Sequence, residues 1–220
     1  MEMKRFLLIP LLSLMVISIA ACGSSSDSEK DLPSGNPDTP ESPKPSMELG
    51  KILVVYYSYT NNVHTIVNDL EKQMTADVVR VEPTEKGLDY AANNYAIGSS
   101  QIQAIRDNPN SASSYPAVDP VNVKFEDYNT VIVATPLWWS NMAAPMQSFL
   151  FGHKADLAGK NIGLIVSSAS SGISGVEDDA KRLIPEGKFL STSLWIRSSQ
   201  TFSCHSMISK WLGEIGYTKQ

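Results

Sequence analysis

The chain has 220 residues and only two cysteines, Cys22 and Cys204. That excludes a disulfide-dense scaffold and any all-cysteine metal site. Basic residues are in deficit, 18 Lys and Arg against 23 Asp and Glu, for a net charge of −5. Without a dense Lys/Arg face the chain cannot neutralise a phosphate backbone, so no nucleic-acid partner is expected. No spacing suits a metal site, and the phosphate-loop pattern G-x-x-x-x-G-K-[ST] is absent. Hydrophobic residues at 42% and charged residues at 19% exclude a wholly disordered, collagenous or multi-span chain. The length allows one or two domains.

Three unlike segments follow one another. Residues 1–21 open with Lys4 and Arg5 and continue with an apolar run from Phe6 to Ala21, broken by Pro10. The run is short for a membrane span and has the order of a secretory signal peptide. Its end, Ile19-Ala20-Ala21-Cys22, resembles the lipobox of bacterial lipoproteins, which implies cleavage before Cys22 and acylation of that cysteine. Two or three acyl chains, at roughly 0.8 kcal/mol per buried methylene, make a near-permanent anchor. Gly23 rather than Asp after Cys22 favours, by resemblance to Gram-negative lipoproteins, the outer membrane if the cell is Gram-negative. Cys204 is then left without a partner, and no intramolecular disulfide is expected. Residues 22–48 form the lipidated linker, with prolines at 33, 37, 40, 43 and 45 and almost nothing apolar. Such a stretch cannot offset its chain entropy and is expected to be a disordered spacer of roughly 30 Å as a coil and about 80 Å extended.

Residues 49–220 alternate strand and helix patterns. Continuous apolar runs at 51–57, 130–135 and 161–167, a shorter one at 77–81 and another at 190–196 read as five strands. Helices are predicted over 62–74, 143–151, 176–183 and 206–215, with a further one over 91–105 and a long Pro-bearing loop over 107–123. This pattern predicts an α/β fold with a three-layer, doubly wound parallel sheet.

In such a sheet, ligands bind beyond the carboxyl ends of the strands. After the first strand, Ser58, Tyr59, Thr60, Asn61, Asn62 and Val63 offer hydroxyls, amides and the free N–H groups of a helix start, an anion site without Lys or Arg. A capped helix with a solvated loop would read the same way. After the third strand, Pro136, Leu137, Trp138 and Trp139 place two indoles where a flat ligand can stack; one buried Trp and one interfacial Trp is the alternative. After the fourth, the small residues Ser168, Ala169, Ser170, Ser171 and Gly172 permit close backbone approach or form a plain surface loop.

A phosphate cradle, an aromatic wall and a small polar loop at one sheet edge specify a flat ring with a phosphate tail. On these residues the chain resembles the flavodoxin family, in particular its short relatives with a P-x-W-W loop, over residues 50–217. The resemblance implies a five-stranded sheet of order 2-1-3-4-5 and bound FMN. By it, Ser58, Thr60 and Asn62 hold the phosphate, Trp138 and Trp139 flank the isoalloxazine ring, and Ser168 to Gly172 meet its pyrimidine edge. The family pattern is close to [ST]-x-T-G-N-T. Here Asn61 stands for the glycine and Val63 for the last threonine, and Ser170-Ser171 stands where a Gly-Gly pair is usual. Each lost donor costs about 1 kcal/mol.

The expected function is electron transfer through FMN, with an unidentified redox partner or a small acceptor such as a quinone, as a carrier or as an NAD(P)H-using oxidoreductase. No side chain is needed as acid or base. The loop at 107–123 is positioned to cover the flavin. The alternative is a flavodoxin-fold binding or scaffold lipoprotein that has lost tight flavin binding. A phosphate-monoester hydrolase would need a nucleophile–base pair that the sequence does not offer. His64 reads as a capping residue, His153 and His205 have no assigned role, Cys204 reads as a structural thiol, and Glu177-Asp178-Asp179 as an acidic helix start.

Overall fold

The computed structural model describes residues 48–219. The predicted signal peptide, the lipidation expected at Cys22 and the predicted linker up to residue 47 lie outside the described residues. Among the described residues, seven strands and six α-helices follow in the order β1 (Ile52–Tyr56), α1 (Asn62–Gln73), β2 (Asp77–Arg80), α2 (Ala92–Asp107), β3 (Thr130–Trp138), β4 (Asn141–Met142), α3 (Ala144–Gly152), α4 (Lys154–Leu157), β5 (Asn161–Ser168), α5 (Ser174–Leu183), β6 (Lys188–Phe189), β7 (Leu194–Arg197) and α6 (His205–Glu214). The parallel sheet runs β2-β1-β3-β5, with β6 and β7 both on the outer edge of β5. This is the expected 2-1-3-4-5 order, the fifth strand being split in two.

The split has a local cause. Between β6 and β7 the chain leaves the ladder so that the Thr192 carbonyl accepts the Trp211 indole N–H (2.9 Å) and Ser193 donates to Glu177 (2.6 Å). Alternation along the strands fills two cores. Leu53, Val55, Val131, Val133, Leu164 and Val166 face α3 and α5. Ile52, Val54, Tyr56, Ile132, Ala134 and Ile165 face α1 and α6. Strands apolar on both faces are what a sheet covered by helices on both sides requires.

Three predicted segments differ from expectation in detail. The third strand does not stop at Thr135; it continues through Pro136, Leu137 and Trp138, because β4 turns back to pair with it, Leu137 with Met142 and Trp138 with Asn141. The helix predicted over 91–105 forms as α2, but Asn93, Asn94 and Tyr95 stand in left-handed backbone (φ 50°, 57° and 62°). The predicted loop over 107–123 contains a turn of 3-10 helix at Ala112–Ser114 and is tied to residues 82–84, where Thr84 N–H donates to Ala117 (3.0 Å) and Asp119 N–H to Glu82 (2.9 Å).

Candidate functional site

Parallel register sets the three loops level. Tyr56 pairs with Ala134, and Pro136 pairs with Ser167, so the chain leaves β1 and β5 on either side of the β3 extension.

In the first loop, Asn61 is the residue before α1 and adopts left-handed backbone (φ 63°). This is the position where the pattern calls for glycine, and Asn is the residue that best replaces glycine there. Its carbonyl accepts from the Thr65 N–H (2.9 Å) and the Thr65 hydroxyl (3.0 Å), which closes the first helical turn. Ser58 is buried, and its hydroxyl accepts the His64 N–H at 3.2 Å. The amides of Asn62 and Val63 have no acceptor among the described residues, as expected for the first turn of a helix. The Val63 side chain is 1% exposed and packs with Ile66 and Val67, so only its backbone faces the loop. Thr60 and Asn61 are exposed and Tyr59 and Asn62 half-buried.

A cation also reaches this loop, one the sequence reading missed. Arg80, the last residue of β2 and the partner of Tyr56 in the ladder, donates to the Ser58 carbonyl (2.9 Å) and pairs with Glu82 (2.6 Å). The register of β1 with β2 is the only signal that would have found it. His64 behaves as a local brace: its ring hydrogen-bonds Tyr56 (2.8 Å) and Asn68 (3.2 Å).

In the second loop, Trp139 and Ser140 form a two-residue turn with φ of 47° and 66°. Left-handed backbone at both positions marks the hairpin turn that Asn-Gly ordinarily supplies. The Trp-Ser turn is held from outside. Arg106 of α2 donates to the Trp139 carbonyl and to Asn141 Oδ1 (2.6 and 2.8 Å). Asp179 of α5 accepts from Asn141 Nδ2 and from the Met142 N–H, both at 2.9 Å, and pairs with Arg182 (2.9 Å). Asp179 is buried, so the acidic start of α5 does more than stabilise a helix end, contrary to the sequence expectation.

The two tryptophans differ. Trp139 is 42% exposed at the tip of the turn. Trp138 is partly buried, with Tyr57 edge-on at 5.6 Å and Tyr90 at 4.8 Å between ring centroids. Both lie against Gly98 of α2, where a Cβ would fall 3.1 Å from the Trp139 ring. Segment 89–98 borders the tryptophans, and Tyr115 of the loop at 107–123 packs with Trp138 on the same cluster of Ile102, Ile105 and Ala144. Segment 89–98 is fastened by Tyr59, which donates to Asp89 (2.9 Å) and accepts the Ala91 N–H (3.1 Å). The Tyr59 hydroxyl and the Ala91 N–H hold the Asp89 carboxyl below its ordinary pKa, and the hydrogen bond donated to Asp89 raises that of Tyr59.

In the third loop, Ser168 is buried and already engaged: its hydroxyl donates to the Ser171 carbonyl (2.7 Å) and accepts the Trp195 indole N–H (2.8 Å). Ala169, Ser170, Ser171 and Gly172 are exposed. Gly175, at the start of α5, comes so close to the turn that a Cβ there would fall on the Ser140 carbonyl oxygen. The start of α5, which follows the third loop, thus touches the second loop.

Cys204 lies apart from these loops, buried at the start of α6, and burial pushes its thiol pKa up. It is structural, as the sequence reading expected.

Among solved structures, a protein assigned as a flavoprotein from Bacteroides eggerthii DSM 20697 superposes with a TM-score of 0.61 at 22% identity, covering 76% of this chain and 99% of its own. A counterpart from Bacteroides uniformis ATCC 8492 gives 0.58 at 18%, with the same coverage. A flavoprotein from Lactobacillus acidophilus NCFM, solved in complex with FMN, gives 0.56 at 16%, covering 71% of this chain and 99% of its own. At these identities the likeness concerns the fold. The family model described as flavodoxin matches residues 51–215, from the first residue before β1 to the end of α6. The chain belongs to the flavodoxin family.

Proposed function

We propose that the protein is an FMN-binding electron-transfer protein held at a bacterial membrane by a lipid on Cys22. The observation that carries the flavin reading is the conjunction at one sheet edge of a left-handed Asn61, unpaired amides at Asn62 and Val63, an exposed Trp139 and the small exposed loop 169–172. Family membership and the FMN complex of the Lactobacillus flavoprotein support it. These residues fit the group. The amides of residues 60–63 would hold its phosphate at the α1 N-terminus, Trp139 would stack on its ring, and the backbone of Ala169 to Gly172 would meet its polar edge. FMN supplies the one- and two-electron chemistry; the protein supplies position, stacking and control of water.

Donor and acceptor remain a matter of partner chemistry: a carrier exchanges electrons with proteins, and an oxidoreductase passes them from a reduced nicotinamide to a small acceptor such as a quinone. Turnover of NAD(P)H by the purified protein separates the two.

The second reading, a binding or scaffold protein without tight flavin, is favoured by the engaged hydroxyls of Ser58 and Ser168 and by the buried Val63 side chain, which leave the backbone and Thr60 to do the binding. The deciding experiment mixes the purified full chain with excess FMN, removes free ligand and records the visible spectrum. A retained flavin band, lost on Trp139→Ala, is the expected result. A folded, colourless protein would overturn the flavin reading. The anchor is tested separately: mass spectrometry of the mature N-terminus gives an acylated Cys22, and Cys22→Ala releases the protein from membranes.

A further inference from the structure

Four aromatic side chains form a continuous column across the α2 side of the site. Trp139 lies 6.3 Å from Trp138, Trp138 lies 4.8 Å from Tyr90, and Tyr90 lies 5.4 Å from Tyr59, centroid to centroid. The column is open at both ends. Trp139 is 42% exposed, Tyr59 half-exposed, and Tyr90 between them is 3% exposed. The column runs from surface to surface, while Trp138 and Tyr59 also rest on the core formed with Tyr57. Its far end also carries a proton acceptor, since Tyr59 donates its hydroxyl hydrogen to Asp89 Oδ1 at 2.9 Å, within the range for proton transfer.

We propose that this column is a one-electron conduit, in which oxidation at Trp139 is passed through Trp138 and Tyr90 to Tyr59 and ends there with transfer of the phenolic proton to Asp89. Tryptophan and tyrosine rings in contact are the side chains suited to such hopping. An outer-sphere one-electron oxidant takes one electron from the Trp139 indole and is itself reduced by one electron. Trp138 refills Trp139, and Tyr59 refills Trp138 across Tyr90. The Tyr59 O–H bond breaks, its proton goes to the Asp89 carboxylate, and a neutral tyrosyl radical and a carboxylic acid remain. A reductant in solution then returns an electron at the exposed ring, and Asp89 returns the proton.

The other phenols are unsuited as end points. Tyr90 has no acceptor for its hydroxyl hydrogen among the described residues, so it bridges and does not hold the radical. Tyr57, beside Trp138, is buried, and burial pushes its phenol far above its ordinary pKa. Asp89 is the reverse case, a carboxyl held in its charged form by the groups that donate to it. The proposal does not depend on bound flavin, and its test is made without it.

The full chain, free of flavin, is flashed with tris(bipyridine)ruthenium and persulfate as photogenerated one-electron oxidant. The radical is followed by transient absorption and by electron paramagnetic resonance. A tryptophanyl signal that decays as a tyrosyl signal rises, with the tyrosyl signal lost in Tyr59→Phe, is the expected result. Asp89→Asn leaves the tryptophanyl radical standing, and Trp138→Leu abolishes the tyrosyl signal although Tyr59 keeps its exposure. Should Trp138→Leu fail to fold, Trp139→Leu at the exposed turn serves the same purpose. Undiminished tyrosyl yield in either tryptophan variant would mean that Tyr59 is oxidised directly and would overturn the proposal. So would an unchanged yield in Asp89→Asn.

Discussion

Asp179 on α5 accepts the Met142 amide at 2.9 Å from 37 residues away, and with it fixes the outgoing strand of the Trp139–Ser140 turn. The same carboxylate takes Asn141 and Arg182, so a single buried side chain ties α5 to the hairpin, and Arg182 carries the link on to Gln147 of α3.

Removing Asp179 leaves the buried Met142 amide without its acceptor and strips the Arg182 guanidinium of its carboxylate, although Arg182 keeps Gln147 and Tyr115. Asp179→Ala is therefore expected to cost about 1–3 kcal/mol. Urea unfolding of the variant against the parent checks the figure. Asp179→Asn keeps one acceptor oxygen and lands between the two. Arg106→Ala, whose contacts are at the surface, changes global stability little and instead frees the turn, which is read as faster exchange of the Ser140 and Asn141 amides.

The turn itself offers a signed pair. Ser140 stands at φ 66°, where a non-glycine L-residue bears a cost of about 1–2 kcal/mol. Ser140→Gly relieves that cost and adds about 0.5–1 kcal/mol of chain entropy to lose, so it is neutral to mildly stabilising. Gly175→Ala drives a methyl group into the Ser140 carbonyl and destabilises by about 1–3 kcal/mol. Thermal denaturation of both variants tests whether α5 and the turn are packed as described.

Segment 89–98 should be sensitive to acid. The Asp89 carboxyl lies below its unfolded value, about 3.9, so its contribution is fully present above that value and lost as the pH falls through the folded one. The Ala91 amide, which also donates to Asp89 (3.0 Å), then loses protection before the strands do. Amide exchange at mildly and strongly acidic pH shows this, and Asp89→Asn moves the loss to neutral pH.

Cys204 is expected to resist alkylation at neutral pH in the folded protein, because burial disfavours its thiolate. Iodoacetamide labelling of the Cys204 peptide, followed by mass spectrometry, should appear only with denaturant and track unfolding.

The three central strands were legible because Ile52–Tyr56, Thr130–Ala134 and Ile162–Val166 are apolar on both faces, which only a covered parallel sheet accommodates. Their carboxyl ends then gave the site's position. The details withheld are those made by partners distant in sequence. A Trp-Ser pair carries none of the Asn-Gly signal of a left-handed turn; it is Arg106 and Asp179 that stabilise it. Arg80 looks like any strand-end cation until register sets it beside Ser58. Val63 aligned with a phosphate-binding position, yet helical periodicity with Ile66 and Val67 turns its side chain to the core. The left-handed run at Asn93–Tyr95 had only its two asparagines to announce it.

The pairing of Ile52 with Thr130 has a kinetic meaning. The central ladder joins strands nearly eighty positions apart, and contacts of that separation form late. Until the chain has been synthesised beyond Trp138, β1 has only β2 to pair with, and two-stranded pieces are marginal in water. The loops that leave β1, β3 and β5 therefore take up their places only once that long-range ladder has closed, so the candidate site is among the last parts of the fold to be completed.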